Sequence, residues 1–428
     1  MRIERYEWAG DDPGGFAREI RALQPGLREV GKQVAEIIVE VRSGGDRAVA
    51  DIEARVGSGR IEPGEIRQPE DALRSASGRV DPELIAALET AAGNIRAVAE
   101  AQLADEREVL LEQGQSVALR EVPVGAAAIY APGGAAAYPS TVLMGCIPAK
   151  VAEVERVAIA TPPGGGERPV PDVILAAAAI AGADEVYAIG GAQAIAALAI
   201  GTERIAPVDV VAGPGNRFVQ EAKRQLVGEV GIDGIAGPSE LMVIAGDTAN
   251  ADWIGLDLCA QAEHGPDGLL VAAAVETVIL DRVEESAERL ASEHAIAEDA
   301  PLALVAVPDT AAGVTLANAI APEHLEILTE DAGALAGGVR TAGCVFIGER
   351  AATAYGDYAA GSNHVLPTGG AGRFQGPLGP GVFRRKMSTV SVPQDAARSL
   401  APTVATLARA EGFPLHAESV EARFRGAE

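Results

Sequence analysis

The sequence predicts an α/β protein with two parallel-sheet domains, a helical N-terminal region and a helical C-terminal arm. Three patterns predict it. Residues 1–120 carry apolar positions at helical spacing. From residue 121 onward, short uniformly apolar runs alternate with helical ones, and the alternation restarts once. After a stretch rich in Gly and Pro, the chain turns helical again.

In the opening region, "REVGKQVAEIIVEVRSGGDRAVADIEARV" and "DPELIAALETAAGNIRAVAEAQLADER" place apolar residues at i, i+3, i+4 and i+7 with acidic outer faces. The first α/β domain spans 121–236. Its strand-like runs are "EVPVGAAAIYAPGG", "RVAIATPPGG", "EVYAIGG" and "VDVVAGPGN", separated by helical "VPDVILAAAAIAGA" and "AQAIAALAIG". Strands apolar on both faces read as parallel sheet covered on both sides. The second domain, 237–388, repeats the pattern with "SELMVIAG", "GLLVAAAV", "LALVAVPD", "HLEILT" and "GCVFIG". It ends in a stretch from Ala351 with little periodicity and many Gly, Pro and Asn residues, and a loop of that length inside a compact chain is usually functional. The arm, 389–428, is helical and broken at Gly412 to Pro414.

Composition excludes several classes of partner. The chain has 61 acidic against 35 basic residues, a formal charge of −26, which disfavours nucleic acid and anionic membrane surfaces. Lys occurs only at positions 32, 150, 223 and 386, so the surface is one of hydrated carboxylates, as expected of a halophile's cytoplasm. Cys146, Cys259 and Cys344 lie far apart in apolar sequence and read as core residues, which also argues against Cys146 as a nucleophile. No leader and no membrane span is evident, so a soluble cytoplasmic protein is expected.

The five histidines are His264, His294, His324, His364 and His416. Four of them sit in "QAEH", "APEHLEI", "GDYAAGSNH" and "EGFPLH", beside other site-type residues. In "DLCAQAEHGPDG", Gln261 and His264 stand three residues apart where Gly265 and Pro266 stop a helix, so both side chains can converge on one point such as a metal. A helix-end histidine is also a common dipole partner, and this stretch alone leaves both readings open. "PEHLEI" pairs Glu323 with His324, either as acid–base groups or as a helix cap before a strand.

Taken together, "VDVVAGPGNRFVQEAKRQLVGEVGIDGIAGPSE", "IYAPGG", "STVLMGCIPAK", "GGAQAIAALAIGTE", "AQAEHGPDG", "APEHLEI" and "GDYAAGSNHVLPT" resemble the histidinol dehydrogenase family, in order and over nearly the whole chain. The resemblance implies two Rossmann-like, aldehyde-dehydrogenase-like domains and oxidation of L-histidinol, via L-histidinal, to L-histidine by two NAD molecules, the last step of histidine biosynthesis. It implies one zinc per subunit, held by Gln261, His264, Asp357 and His416 of the partner subunit. His324 becomes the general base and Glu323 the water activator. Substrate contacts fall on Ser239, His364 and Glu411 of the partner subunit, besides the zinc and acid–base residues, and NAD contacts on Tyr130, Gln193 and Asn216. The partners implied are L-histidinol and a second copy of the chain, with no nucleic acid and no membrane. "GPGNRF" lacks the full dinucleotide fingerprint, so NAD rests on the resemblance alone. Gly234 stands where a bulkier residue is common in the family. The competing readings are a paralogous dehydrogenase of another small alcohol, a zinc hydrolase, and a non-catalytic binding protein, the last having no need of Glu323 beside His324.

Overall fold

The computed structural model describes residues 1–24, 29–57, 60–133, 136–164, 170–294 and 299–424. Gly134, which closes "IYAPGG", and Gly165, which closes "RVAIATPPGG", lie outside them. The chain divides into one unit of residues 1–102 and 124–383 and another of 103–123 and 384–428.

The larger unit holds two sheets. The first has five parallel strands in the order Glu185–Ala188, Arg156–Thr161, Ala126–Tyr130, Val210–Ala212 and Gly231–Ile232. Strand alternation sends Ala127, Ile129, Val157 and Ile159 to one face, packed with helices Pro82–Ala101, Pro139–Val151 and Asp172–Ala181. Ala126, Ala128, Tyr130 and Val211 go to the other face, under helices Gly31–Val56, Gly191–Ile200 and Arg217–Leu226. Both faces are covered, which is why these strands are apolar throughout. Cys146 is buried in the first of these layers, and burial pushes its thiol well above the usual range.

The second sheet has six parallel strands in the order Arg2–Glu7, Pro301–Ala306, Leu269–Ala274, Glu240–Ala245, His324–Leu328 and Cys344–Ile347. Leu241, Val243 and Leu270 pack under helices Ala251–Ala262 and Thr277–His294, and Met242, Ile244, Leu325 and Ile327 under helix Thr310–Ile320.

The smaller unit combines an antiparallel sheet of Arg384–Ser391, Ser116–Pro123 and Arg107–Leu110 with helices Gln394–Ala410 and Pro414–Glu421. The two helices meet through Ala405, Ala408 and Ala417, and Gly412 turns the chain between them at φ 81°.

Two expectations need correction. The N-terminal region is not wholly helical, because "RIERYE" is an edge strand of the second sheet and Arg107–Leu110 and Ser116–Pro123 are also strands. These segments leave much of their surface exposed, so they lack the alternation that marks a half-buried strand. The stretch from Ala351 is not irregular throughout, since Thr353–Tyr358 forms a helix too short to show a period. Among the described residues, no helix is long and apolar enough to cross a membrane.

Candidate active site

Most site residues of the larger unit lie at strand ends of its two sheets. Open α/β sheets bind ligands beyond the carboxyl ends of their strands, where the strand order reverses. In the first sheet that place lies between Ala126–Tyr130 and Val210–Ala212, since the chain leaves the central strand toward one side and returns on the other. Tyr130 ends the central strand, and Asn216 follows the neighbouring one. Between those strands Gly213, at φ 117°, passes so close to the Tyr130 carbonyl that a Cβ would lie 2.3 Å from it. Only glycine fits there.

Asn216 caps helix Arg217–Leu226, its Oδ1 accepting from the N–H groups of Phe218 at 2.9 Å and Val219 at 3.3 Å. The turn is held by a buried ion pair that sequence reading missed. Lys223 lies 2.5 Å from Asp233, donates to the Gly213 carbonyl at 3.1 Å, and the Gly213 N–H donates to Asp233 at 2.8 Å. Gln193 follows the edge strand Glu185–Ala188 and is buried, its Nε2 donating to Glu53 at 2.7 Å. Gly190 N–H also donates to Glu53, and Gly191 N–H to the Tyr130 hydroxyl, both at 3.0 Å. Burial raises the Tyr130 phenol to about 12, so it stays protonated at neutral pH.

The second group sits at the opposite end of its sheet, where strands Glu240–Ala245 and His324–Leu328 begin. The imidazole of His324, 3% exposed, donates from Nδ1 to the Glu240 carbonyl at 3.1 Å, since a carbonyl only accepts. Its Nε2 faces Asp357 Oδ1 at 3.4 Å, and Glu323 lies 3.5 Å from Nδ1. Burial pushes the imidazole toward its neutral form, but the Glu323 and Asp357 carboxylates outweigh burial and raise it to about 9. Burial also raises Glu323 to about 7, against the opposing pull of His324. Glu323 is oriented by the Glu240 N–H at 2.9 Å. Glu240 is anchored in turn by Arg21 at 2.7 Å and by the Gly369 N–H at 3.0 Å.

Asp357 stands on helix Thr353–Tyr358. Burial pushes its carboxyl up, but His324, His364 and His264 together hold it below its ordinary range, so one carboxylate feels three imidazoles. His364 donates from Nδ1 to the Asp357 carbonyl at 3.0 Å, which leaves Nε2 as an acceptor for the Thr141 hydroxyl at 3.0 Å. Burial lowers the His364 pKa and favours that neutral form. Thr141 carries no signal in its sequence neighbourhood, because its partner is far away in the chain.

Helix Ala251–Ala262 ends nearby in the fold of this unit. Gln261 lies in its last turn and is buried, its Nε2 without a hydrogen-bond partner among the described residues. His264 is exposed in the turn just beyond, its N–H donating to the Gln261 carbonyl at 3.3 Å. The negative end of a helix dipole favours a cation. Ser239 immediately precedes strand Glu240–Ala245. Glu411 and His416 belong to the smaller unit, Glu411 ending helix Gln394–Ala410 and His416 in the first turn of Pro414–Glu421, where its ring contacts Phe413.

Among the described residues, no three His, Cys, Asp or Glu side chains are gathered as a metal site by themselves. The donor set of amide oxygen, imidazole and carboxylate nevertheless suits zinc, and the unpartnered end of the buried Gln261 amide, turned so that Oε1 takes the place of Nε2, would present an oxygen to such an ion.

The family model of histidinol dehydrogenase matches residues 23–424. The chain is 42% identical to histidinol dehydrogenase of Rhizobium meliloti, covering 95% of this chain and 96% of that one. It is 43% identical to that of Natronomonas pharaonis, covering 93% and 94%. The crystal structure of histidinol dehydrogenase from Elizabethkingia anophelis superposes with a TM-score of 0.91 at 29% identity, over 100% of this chain and 98% of that one. The chain belongs to the histidinol dehydrogenase family.

Proposed function

We propose that this chain oxidises L-histidinol through L-histidinal to L-histidine in the cytoplasm, using two NAD molecules and one zinc ion per subunit, as a homodimer. The observation that carries the reading is the buried His324, held through Nδ1 by a backbone carbonyl, with Glu323 and Asp357 on either side.

Gln261, His264 and Asp357 would hold the zinc, with His416 of the partner subunit as the fourth ligand. When bound, zinc offers a position to a nitrogen of the amino alcohol, and NAD accepts the hydride. Tyr130, Gln193 and Asn216 would contact the NAD: Tyr130 ends one and Asn216 follows the other of the two strands that flank the first sheet's switch point, where a dinucleotide is expected, and the Gly191 N–H two residues before Gln193 donates to the Tyr130 hydroxyl. The positive end of helix Arg217–Leu226 favours a phosphate there.

Alcohol to acid is two hydride removals with a water addition between them. With the Asp357 carboxylate engaged by zinc, its pull on the imidazole would fall, and the neutral His324 would take at Nε2 the hydroxyl proton in the first oxidation and the diol proton in the second. Glu323, lifted to about 7 by burial, is poised near neutrality and takes the proton from the water that adds to the aldehyde. Ser239, His364 and Glu411 of the partner subunit orient the substrate, His364 exchanging its Thr141 bond for one to substrate.

The smaller unit supports the dimer reading. Val390, Leu407, Phe413 and Leu415 are exposed, Leu415 by 75%, and such an apolar surface is normally covered.

Separate assays of the two half-reactions test the Glu323 role. Glu323→Gln should slow histidinal oxidation by about 10²-fold or more and histidinol-to-histidinal oxidation much less, because water is activated only in the second half. Equal loss with both substrates would remove Glu323 from the hydration step.

A further inference from the structure

Two carboxyls that the mechanism does not use, one buried and one half-buried, join the elements carrying the site. Glu326 stands two residues after His324 on strand His324–Leu328 and is 0% exposed. Strand alternation puts it on the same face as His324. Its Oε1 accepts from the Thr353 N–H at 2.9 Å and the Thr353 hydroxyl at 2.6 Å. Thr353 opens helix Thr353–Tyr358 and lies four residues before Asp357. On the other side, Asp257 of helix Ala251–Ala262 brings its carboxyl within hydrogen-bond reach of Glu326, and lies four residues before Gln261. Residues four apart share a helix face one turn apart, so each ligand-bearing helix is tied to the same carboxyl one turn before its ligand.

The bond between the two acids needs a proton. Glu326 Oε2 is buried without a donor if both groups are ionised. Two carboxylates this close hold one proton between them, and burial raises Asp257 to about 6 and Glu326 to about 7, the Asp257 charge adding to the shift of Glu326.

We propose that Asp257 and Glu326 are positioning residues that fasten helices Ala251–Ala262 and Thr353–Tyr358 to strand His324–Leu328, so that Gln261, His264 and Asp357 converge on the metal. The proposal rests on the zinc reading above. Removing Asp257 frees one helix and leaves Glu326 Oε2 buried without a partner. An amide at 257 restores a donor to Glu326 and keeps a single negative charge on the pair.

The test measures zinc affinity by competition with a chromophoric chelator, and thermal unfolding of the zinc-free protein, for the parent, Asp257→Ala, Asp257→Asn and Thr353→Val. Asp257→Ala should weaken zinc binding by about 10- to 100-fold, the usual consequence of losing support behind a metal ligand. Asp257→Asn should hold zinc nearly as the parent does. Thr353→Val, which removes only the hydroxyl donor, should weaken zinc several-fold while the zinc-free melting temperature stays close to parental. Parental affinity in both Asp257→Ala and Thr353→Val overturns the proposal, and so does a loss in Asp257→Asn equal to that in Asp257→Ala. If Asp257→Ala does not fold, the contrast between Thr353→Val and Asp257→Asn decides in the same way. A parent that binds no zinc overturns both this inference and the zinc reading, whereas a parent that binds zinc with variants that hold it equally well overturns this inference alone.

Discussion

His324→Ala is expected to lower turnover of L-histidinol by about 10²- to 10⁴-fold, the range for loss of a positioned general base, while one zinc per subunit remains bound. Both oxidations start with removal of a hydroxyl proton, so both should fall together. His324 stands outside the proposed ligand set and touches it only through Asp357, at 3.4 Å. Its removal leaves the Glu240 carbonyl and one Asp357 oxygen short of a partner, and some stability is lost with the packing against Phe346. Kinetics and metal content, measured on the same folded sample, separate these effects. Turnover within a few-fold of the parent contradicts the assignment of His324, and loss of zinc in proportion to activity makes it a structural residue.

The second large effect concerns the shared site. Gln261→Ala and His416→Ala should each be inactive as homodimers, and mixing them under conditions of subunit exchange should restore activity. In a dimer whose arms are exchanged, one site of the heterodimer carries both defects and the other carries neither. About half the parental activity per heterodimer is then expected from the two-fold arrangement. The physical basis is that the arm exposes Leu407, Phe413 and Leu415, and a two-fold dimer gives each arm an equivalent surface to cover them. If each chain completes its own site, every site keeps one defect and no activity returns. Heterodimer formation confirmed by native mass, without recovery, places His416 with its own subunit's ligands.

The parts of this fold that could be read in the sequence are those whose burial has a period. Helices Gly31–Val56 and Pro82–Ala101 carry an apolar stripe, and the inner strands of both sheets are apolar on both faces. Strand Arg2–Glu7 was hidden because it lies at a sheet edge with charges along it. The site divides in the same way. Gln261 with His264, and Glu323 with His324, are close in sequence, so each pair stood out as a candidate from its own stretch, with its role left to the resemblance. Thr141 with His364, Arg21 with Glu240, and Asp257 with Glu326 meet only through the topology, and nothing local marks them. The crevice at the first sheet's switch point is of the second kind. It follows from the strand order around Ala126–Tyr130, a property of the whole sheet that no local pattern such as a glycine fingerprint announces.

The most direct measurement of the central claim is the product stoichiometry of the purified protein with L-histidinol and NAD, in molar potassium chloride to screen the charge of −26. Two NADH are expected for each L-histidine released, with no free L-histidinal accumulating and with both products lost on removal of zinc. One NADH per histidinol with L-histidinal as the end product, or no NADH at all, would contradict it.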